Sequence, residues 1–203
     1  MNLFDSCSGQ SLQAGLNWLN EPDYWEFDAN RALIVSARAF ADFFIDPSGD
    51  NVKSSAPFLY TRVKGDFSAV TRVSVEMKQQ YDSGCLMFMS DDTHWAKLCF
   101  EFFADHPSIL SVVTKESSDD CISAKADTSQ PYLRMARAGN CFAFHYSLDG
   151  EQWKLVRYFR LNCPEEIKVG VVAQSPVGDG AQARFDHFLL THGISGDIRT
   201  VNS

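Results

Sequence analysis

The feature that most constrains this chain is alternation, with apolar and polar residues trading places at every second position along most of its length. The stretch from Phe67 to Lys78 shows it well: Val73, Val75 and Met77 fall on one side of an extended chain, and Arg72, Ser74, Glu76 and Lys78 on the other. Strand-like runs recur at 32–37, 42–45, 57–63, 84–90, 94–103, 109–115, 132–137, 141–147, 153–160, 167–174 and 182–191. Turn residues separate them, as at Pro47-Ser48-Gly49-Asp50, Ala138-Gly139-Asn140 and Leu148-Asp149-Gly150. No long segment carries the 3.6-residue periodicity of an amphipathic helix. About a dozen short strands with no helices between them predict an all-β sandwich of two antiparallel sheets. The polar stretch 116–130 is expected to be a loop or a short helical turn.

Size and composition narrow the possibilities further. The 203 residues are 45% hydrophobic and include sixteen Phe, enough for one sizeable core. No repeat or linker interrupts them, so a single domain over 1–203 is expected, its core spanning about 10–191 and residues 193–203 forming a tail that frays. The net charge of −8 argues against a nucleic-acid partner. No apolar run approaches the ~18–20 residues of a membrane helix, and the N-terminus lacks the basic and apolar regions of a secretory signal. Cys85, Cys99 and Cys141 sit inside apolar runs, and the six cysteines form no CxxC pair. Reduced thiols and a cytoplasmic location are therefore expected, without a zinc site. Asp91-Asp92 and Asp119-Asp120 are assigned to turns rather than to Ca²⁺. No metal or cofactor is expected.

Candidate chemistry gathers on one strand. In Trp95-Ala96-Lys97-Leu98-Cys99-Phe100-Glu101-Phe102, alternation sends Ala96, Leu98, Phe100 and Phe102 to the core and Trp95, Lys97, Cys99 and Glu101 to the opposite face. The same rule turns Arg72, Ser74, Glu76, Arg134 and His145 away from the core. If these strands share a sheet, its non-core face suits a polar ligand, with an indole for stacking on a sugar and carboxylate or guanidinium groups for hydroxyls. Trp95 is then the stacking platform. Lys97, Glu101, Glu76, Arg134 and His145 form a hydrogen-bonding wall, and Tyr81 and Asp82 the rim. A merely solvated face, or one that contacts a protein, fits the same pattern. Glu76 and Glu101 are the one carboxylate pair that alternation places on a common face, the minimum for a glycosidase. The E-x-D-x-E strand motif of laminarinase-type glucanases is absent, as are GxSxG, P-loop, GxGxxG and HExxH patterns.

Several motifs come in a characteristic order: Asn17-Trp18-Leu19-Asn20-Glu21-Pro22, Ala56-Pro57-Phe58-Leu59-Tyr60, Tyr81-Asp82-Ser83-Gly84-Cys85-Leu86-Met87, and Trp95-Ala96-Lys97-Leu98. Ser111-Val112-Val113-Thr114, Ser118-Asp119-Asp120, Arg137-Ala138-Gly139-Asn140 and the hairpin at 147–153 complete the set. From about residue 10 to 191 the chain resembles the concanavalin A-like family called domain of unknown function 1349, sometimes labelled "regulation of enolase". The resemblance implies a jelly-roll and brings no reaction with it. Fold relatives include lectins, glucanases and β-xylosidase C-terminal domains, which makes an oligosaccharide or a sugar metabolite the expected ligand. A glycan-active enzyme using Glu76 and Glu101, and a regulatory protein-interaction domain, are the alternatives. One departure stands out: Asp120 occupies the place of the family's usual Trp in Ser-Asp-Trp.

Overall fold

The computed structural model describes residues 1–194 and 196–201. Two seven-stranded antiparallel sheets face each other, as alternation requires. The first runs, in spatial order, β1 (Asn17–Leu19), β6 (Phe58–Lys64), β15 (Glu166–Gln174), β8 (Ser83–Asp91), β9 (His94–Phe103), β10 (His106–Lys115) and β11 (Ser117–Lys125). The second runs β14 (Lys154–Arg160), β13 (Cys141–Ser147), β12 (Tyr132–Ala138), β7 (Phe67–Val75), β16 (Gly180–His192), β3 (Leu33–Arg38) and β2 (Trp25–Phe27). A separate hairpin joins β4 (Phe43–Ile45) to β5 (Val52–Ser54). No α-helix occurs among the described residues, so none is long and apolar enough to cross a membrane. The architecture is a jelly-roll sandwich.

The core lies between the sheets, where each strand delivers every second side chain. Phe88 of the first sheet stacks on Phe142 of the second with ring centroids 4.0 Å apart, and Phe159 and Phe144 close around the pair. Ala96, Leu98 and Phe100 are fully buried on the same side. Leu3, Phe4 and Cys7 also belong to the core, so packing begins earlier than residue 10. At the other end Ile198 is buried against Ala136 and Ala143, and the Arg199 carbonyl oxygen lies 3.0 Å from a ring nitrogen of His145. This part of the tail is docked; residues 195, 202 and 203 lie outside the described set.

The stretch 116–130 departs from expectation, because residues 117–125 form edge strand β11, paired with β10 alone. Its Ser-Ser-Asp-Asp-Cys-Ile-Ser-Ala-Lys sequence has little to bury, and polar or charged side chains are what an exposed sheet edge carries. The 147–153 hairpin behaves as its residues dictate. The Ser147 hydroxyl accepts the Gly150 N–H at 2.9 Å, and Gly150 turns with φ of 84°. A Cβ there would meet the Tyr132 ring at 3.1 Å.

Both faces of the central first-sheet strands are covered. From Ser83 to Met89, β8 is buried at every position, because the β4–β5 hairpin and the loop after β15 lie over the sheet's outer face. Ile45 N–H donates to the Ser118 hydroxyl at 2.9 Å, and the Ser175 N–H donates to the Ala41 carbonyl at 3.0 Å, tying this cover to both sides of the sheet.

Candidate functional site

Between the outer face of the first sheet and this cover lies a cavity of about 310 Å³. Register explains its floor. Lys97 on β9 stands opposite Met87 of β8 and Val112 of β10, and Glu101 stands opposite Ser83 and Ser108. Phe103, Leu110, Val112 and Ile122 supply apolar wall, Phe44 comes from the hairpin, and Pro176 and Val177 from the loop after β15. Tyr81 and Asp120 also line the space.

At the base sits a buried polar network. Lys97, only 3% exposed, donates from Nζ to the Phe43 carbonyl at 2.7 Å, to Gln174 Oε1 at 3.0 Å and to Asp42 Oδ1 at 3.4 Å. Gln174 Nε2 donates in turn to Asp42 Oδ1 at 3.0 Å. Burial alone would push the ammonium toward neutrality, but the anionic partners, Asp42 foremost, hold its pKa above the ordinary lysine value. Glu101 is different. Loss of water raises its carboxyl well above the carboxylate range, outweighing the Lys97 charge and the Ser83 hydroxyl, which pull the other way. Among the described residues no cation forms a salt bridge with it. Cys85 and Cys99 face each other beneath Lys97 as free thiols with sulfurs 3.0 Å apart.

The structure divides the residues picked out from sequence into three groups. Lys97, Glu101 and Tyr81 come together in the cavity. Asp82 is buried beside it and organises the chain: its carboxylate accepts the N–H groups of Lys78 and Gln79 at 2.9 Å and the Ser175 hydroxyl at 2.8 Å. The remaining four do not meet there. Trp95 does share the outer face, yet it is 1% exposed and lies under Phe43, ring centroids 6.1 Å apart; it offers no open indole face and is a core residue. Glu76 follows β7, in the second sheet, where it is exposed and pairs with Lys78 at 3.1 Å. Arg134 and His145 oppose each other on β12 and β13 of that sheet, under the C-terminal segment. Alternation fixes which side of a strand a residue faces but not which sheet the strand joins, and one face was assembled from two sheets. Glu76 and Glu101 therefore make no catalytic pair in this cavity.

Asp42, Phe44, Phe103, Gln174 and the β10 and β11 wall were not anticipated. Phe103 had a signal, since it continues the Lys97–Glu101 face. Asp42 and Phe44 had none: nothing local says that a short hairpin folds over a sheet some fifty residues ahead. Asp91 and Asp119 have local explanations, the first accepting from Thr93 and the second pairing with Arg157 at 3.0 Å.

Fold and cavity together define a jelly-roll β-sandwich with a covered pocket on the outer face of one sheet. The chain belongs to the family described as protein of unknown function DUF1349, whose model matches residues 18–193. A functionally unknown protein from Saccharomyces cerevisiae is similar over 90% of this chain and 98% of its own, with 24% identity and a TM-score of 0.84. A xylan beta-1,4-xylosidase from Bacillus halodurans matches 93% of the chain at 15% identity and TM-score 0.73, but the match spans only 38% of that enzyme. An alginate lyase from Klebsiella pneumoniae has 11% identity and a TM-score of 0.60, covering 84% of this chain and 85% of its own. Among curated proteins nothing matches.

Proposed function

We propose that the chain is a carbohydrate-binding module that takes a small oligosaccharide or sugar metabolite into the cavity beneath the β4–β5 hairpin. The observation that carries this reading is the lining itself: aromatic and aliphatic walls from Phe44, Tyr81, Phe103 and Leu110 converge on a buried carboxyl at Glu101. Sugars need that combination, because the C–H face of a pyranose packs on apolar or aromatic surface while its hydroxyls want a few placed polar groups. Sandwiches of this fold occur in a xylosidase and an alginate lyase, which favours a glycan over other small polar ligands. Binding is favoured over turnover. Of the other carboxylates lining the cavity, Asp42 is committed to Lys97 and Gln174, and Asp120 stands in the row of Lys97 and Val112, four residues (about 13 Å) along the sheet from the row of Glu101 and two strands over, rather than beside Glu101 as a hydrolytic pair requires.

Thermal unfolding in the presence of neutral mono- and disaccharides tests the reading. A ligand at ten times its Kd stabilises the folded state by about 1.4 kcal/mol, a rise of roughly 3–6 °C for a domain of this size. The shift should vanish in Phe103→Ala, whose ring is partly exposed at the wall. Absence of a shift with every sugar, or a shift that survives loss of the Phe103 ring in full, would contradict it.

A further inference from the structure

Where the cavity opens, the chain presents apolar side chains to water. Tyr81, Ile122 and Val177 line it and are nonetheless 41%, 49% and 52% exposed. Phe40, 59% exposed, stands on a neighbouring turn. Its N–H donates to the Gly178 carbonyl at 3.4 Å, and the Ser175 N–H donates back to the Ala41 carbonyl at 3.0 Å. Gly178 in turn lies so close to Gln79 that a Cβ would meet its side chain at 3.1 Å. The turn carrying Phe40, the loop carrying Val177 and the turn carrying Tyr81 are therefore packed side by side.

Both aromatic residues occupy positions that favour glycine. The Ala41 N–H closes one turn on the Arg38 carbonyl at 3.2 Å, with Phe40 in third place at φ of 60°. The Asp82 N–H closes the other on the Gln79 carbonyl at 3.2 Å, with Tyr81 in third place at φ of 72°. Third place with positive φ is where a turn takes glycine or asparagine, and a bulky side chain there is strained. Tyr81 meets the same demand twice. Its N–H donates to the Phe102 carbonyl and the Phe102 N–H donates to the Asp82 carbonyl, so two residues oppose one, as in a bulge whose first residue is normally a left-handed glycine. The other non-glycine residues with positive φ among those described are Asn20, Arg31, Ala104, Asp105 and Glu116, none of them aromatic. Neither ring is buried, so core packing does not account for Phe40 and Tyr81, and backbone strain of this kind gathers at ligand clamps.

The cavity, about 310 Å³, is at the small end for ligand sites, so a chain of several sugar rings that enters it leaves most of its length outside. Aromatic faces suit the C–H side of each further pyranose. Asn51, Lys53 and Asp120 add amide, ammonium and carboxylate groups to the lining, which serve hydroxyls as donors and acceptors. Resting on the carbohydrate reading of the cavity, we propose that the ligand is the end of an oligosaccharide chain, its terminal ring inside and the following rings passing through the mouth across Tyr81 and Phe40.

Calorimetric titration of the full chain with cello- and xylo-oligosaccharides, from disaccharide to pentasaccharide, tests the proposal. In at least one series the tetrasaccharide should bind about tenfold or more tighter than the disaccharide. Phe40→Gly should remove most of that gain, and Tyr81→Gly should weaken every member of the series. Because glycine suits both positions, neither variant should melt more than about 4 °C below the parent. A larger drop would identify a ring that holds the fold and would overturn its assignment to the ligand. Equal affinity for disaccharide and tetrasaccharide, or a length dependence kept in full by Phe40→Gly, would overturn the extended platform while leaving a carbohydrate site in the cavity. Binding of no member of either series would overturn both readings.

Discussion

Trp95 and Glu101 stand on the same face of one strand, three periods of the alternation apart, and have opposite fates. Trp95 lies where Phe43 of the hairpin comes down on the sheet, so its indole is covered and Lys97 sits 5.8 Å from its ring. Removing it should behave as a core truncation: Trp95→Ala should cost about 3–5 kcal/mol in urea unfolding. Loss of sugar binding with stability kept within about 1 kcal/mol of the parent would instead restore Trp95 as a ligand platform. Glu101 reaches the cavity, and its raised pKa has a consequence for stability. The folded chain holds this proton at pH values where the unfolded chain has released it, so stability is fully present below the unfolded carboxylate range and is lost as pH rises toward the folded pKa. Between those limits the slope is about 1.4 kcal/mol per pH unit. Glu101→Gln should remove that slope from a comparison of melting temperature with pH. Parallel curves for the two proteins would show that the carboxyl is ionised in the fold.

Elements, rather than single residues, decide what covers each outer face. The first sheet is covered by the hairpin, the second in part by the C-terminal segment, which Ile198 anchors and His145 secures. The His145 ring has one consistent proton arrangement: Arg134 donates to Nδ1 at 3.2 Å, so Nε2–H donates to the Arg199 carbonyl at 3.0 Å. Burial holds its pKa below the ordinary histidine value, reinforced by the Arg134 charge and opposed by the Arg199 carbonyl. A depressed folded pKa means that stability is present above the unfolded value and lost as pH falls through the folded one. Protonating Nδ1 would point a donor at the guanidinium and break that contact. Amide protection factors over residues 198–201 should therefore fall on going from about pH 7 to about pH 5, and the fall should be absent in His145→Gln. Constant protection in the parent protein, or an equal fall in the variant, would count against this latch.

At the scale of the whole molecule, the sandwich was legible because alternation is a local signal that survives along most strands: with His145 turned outward, Phe142 and Phe144 are placed facing the core by parity alone. Strands with little to bury were not legible. Val52–Ser54 and Ser117–Lys125 form strands because neighbours offer them hydrogen bonds, not because their residues ask for it. The site was legible in part for the same reason. Lys97 and Glu101 share a parity on one strand, whereas Glu76, Arg134 and His145 share it on another sheet, and parity carries no information about which strands pair. Asp42 and Gln174 reach Lys97 across 55 and 77 residues of chain, a distance over which only the folded topology speaks.

The proposed function places ligand binding in the space under the hairpin. The most direct measurement is a two-dimensional NMR titration of isotope-labelled protein with a neutral disaccharide, following backbone and side-chain amides together. Shifts should concentrate at Phe44, Tyr81, Phe103, Ile122 and the Gln174 side-chain amide, while Arg134, His145 and the tail stay still. Shifts centred on Arg134 and His145, or a spectrum that does not respond to saturating sugar, would contradict the assignment of the cavity as the binding site.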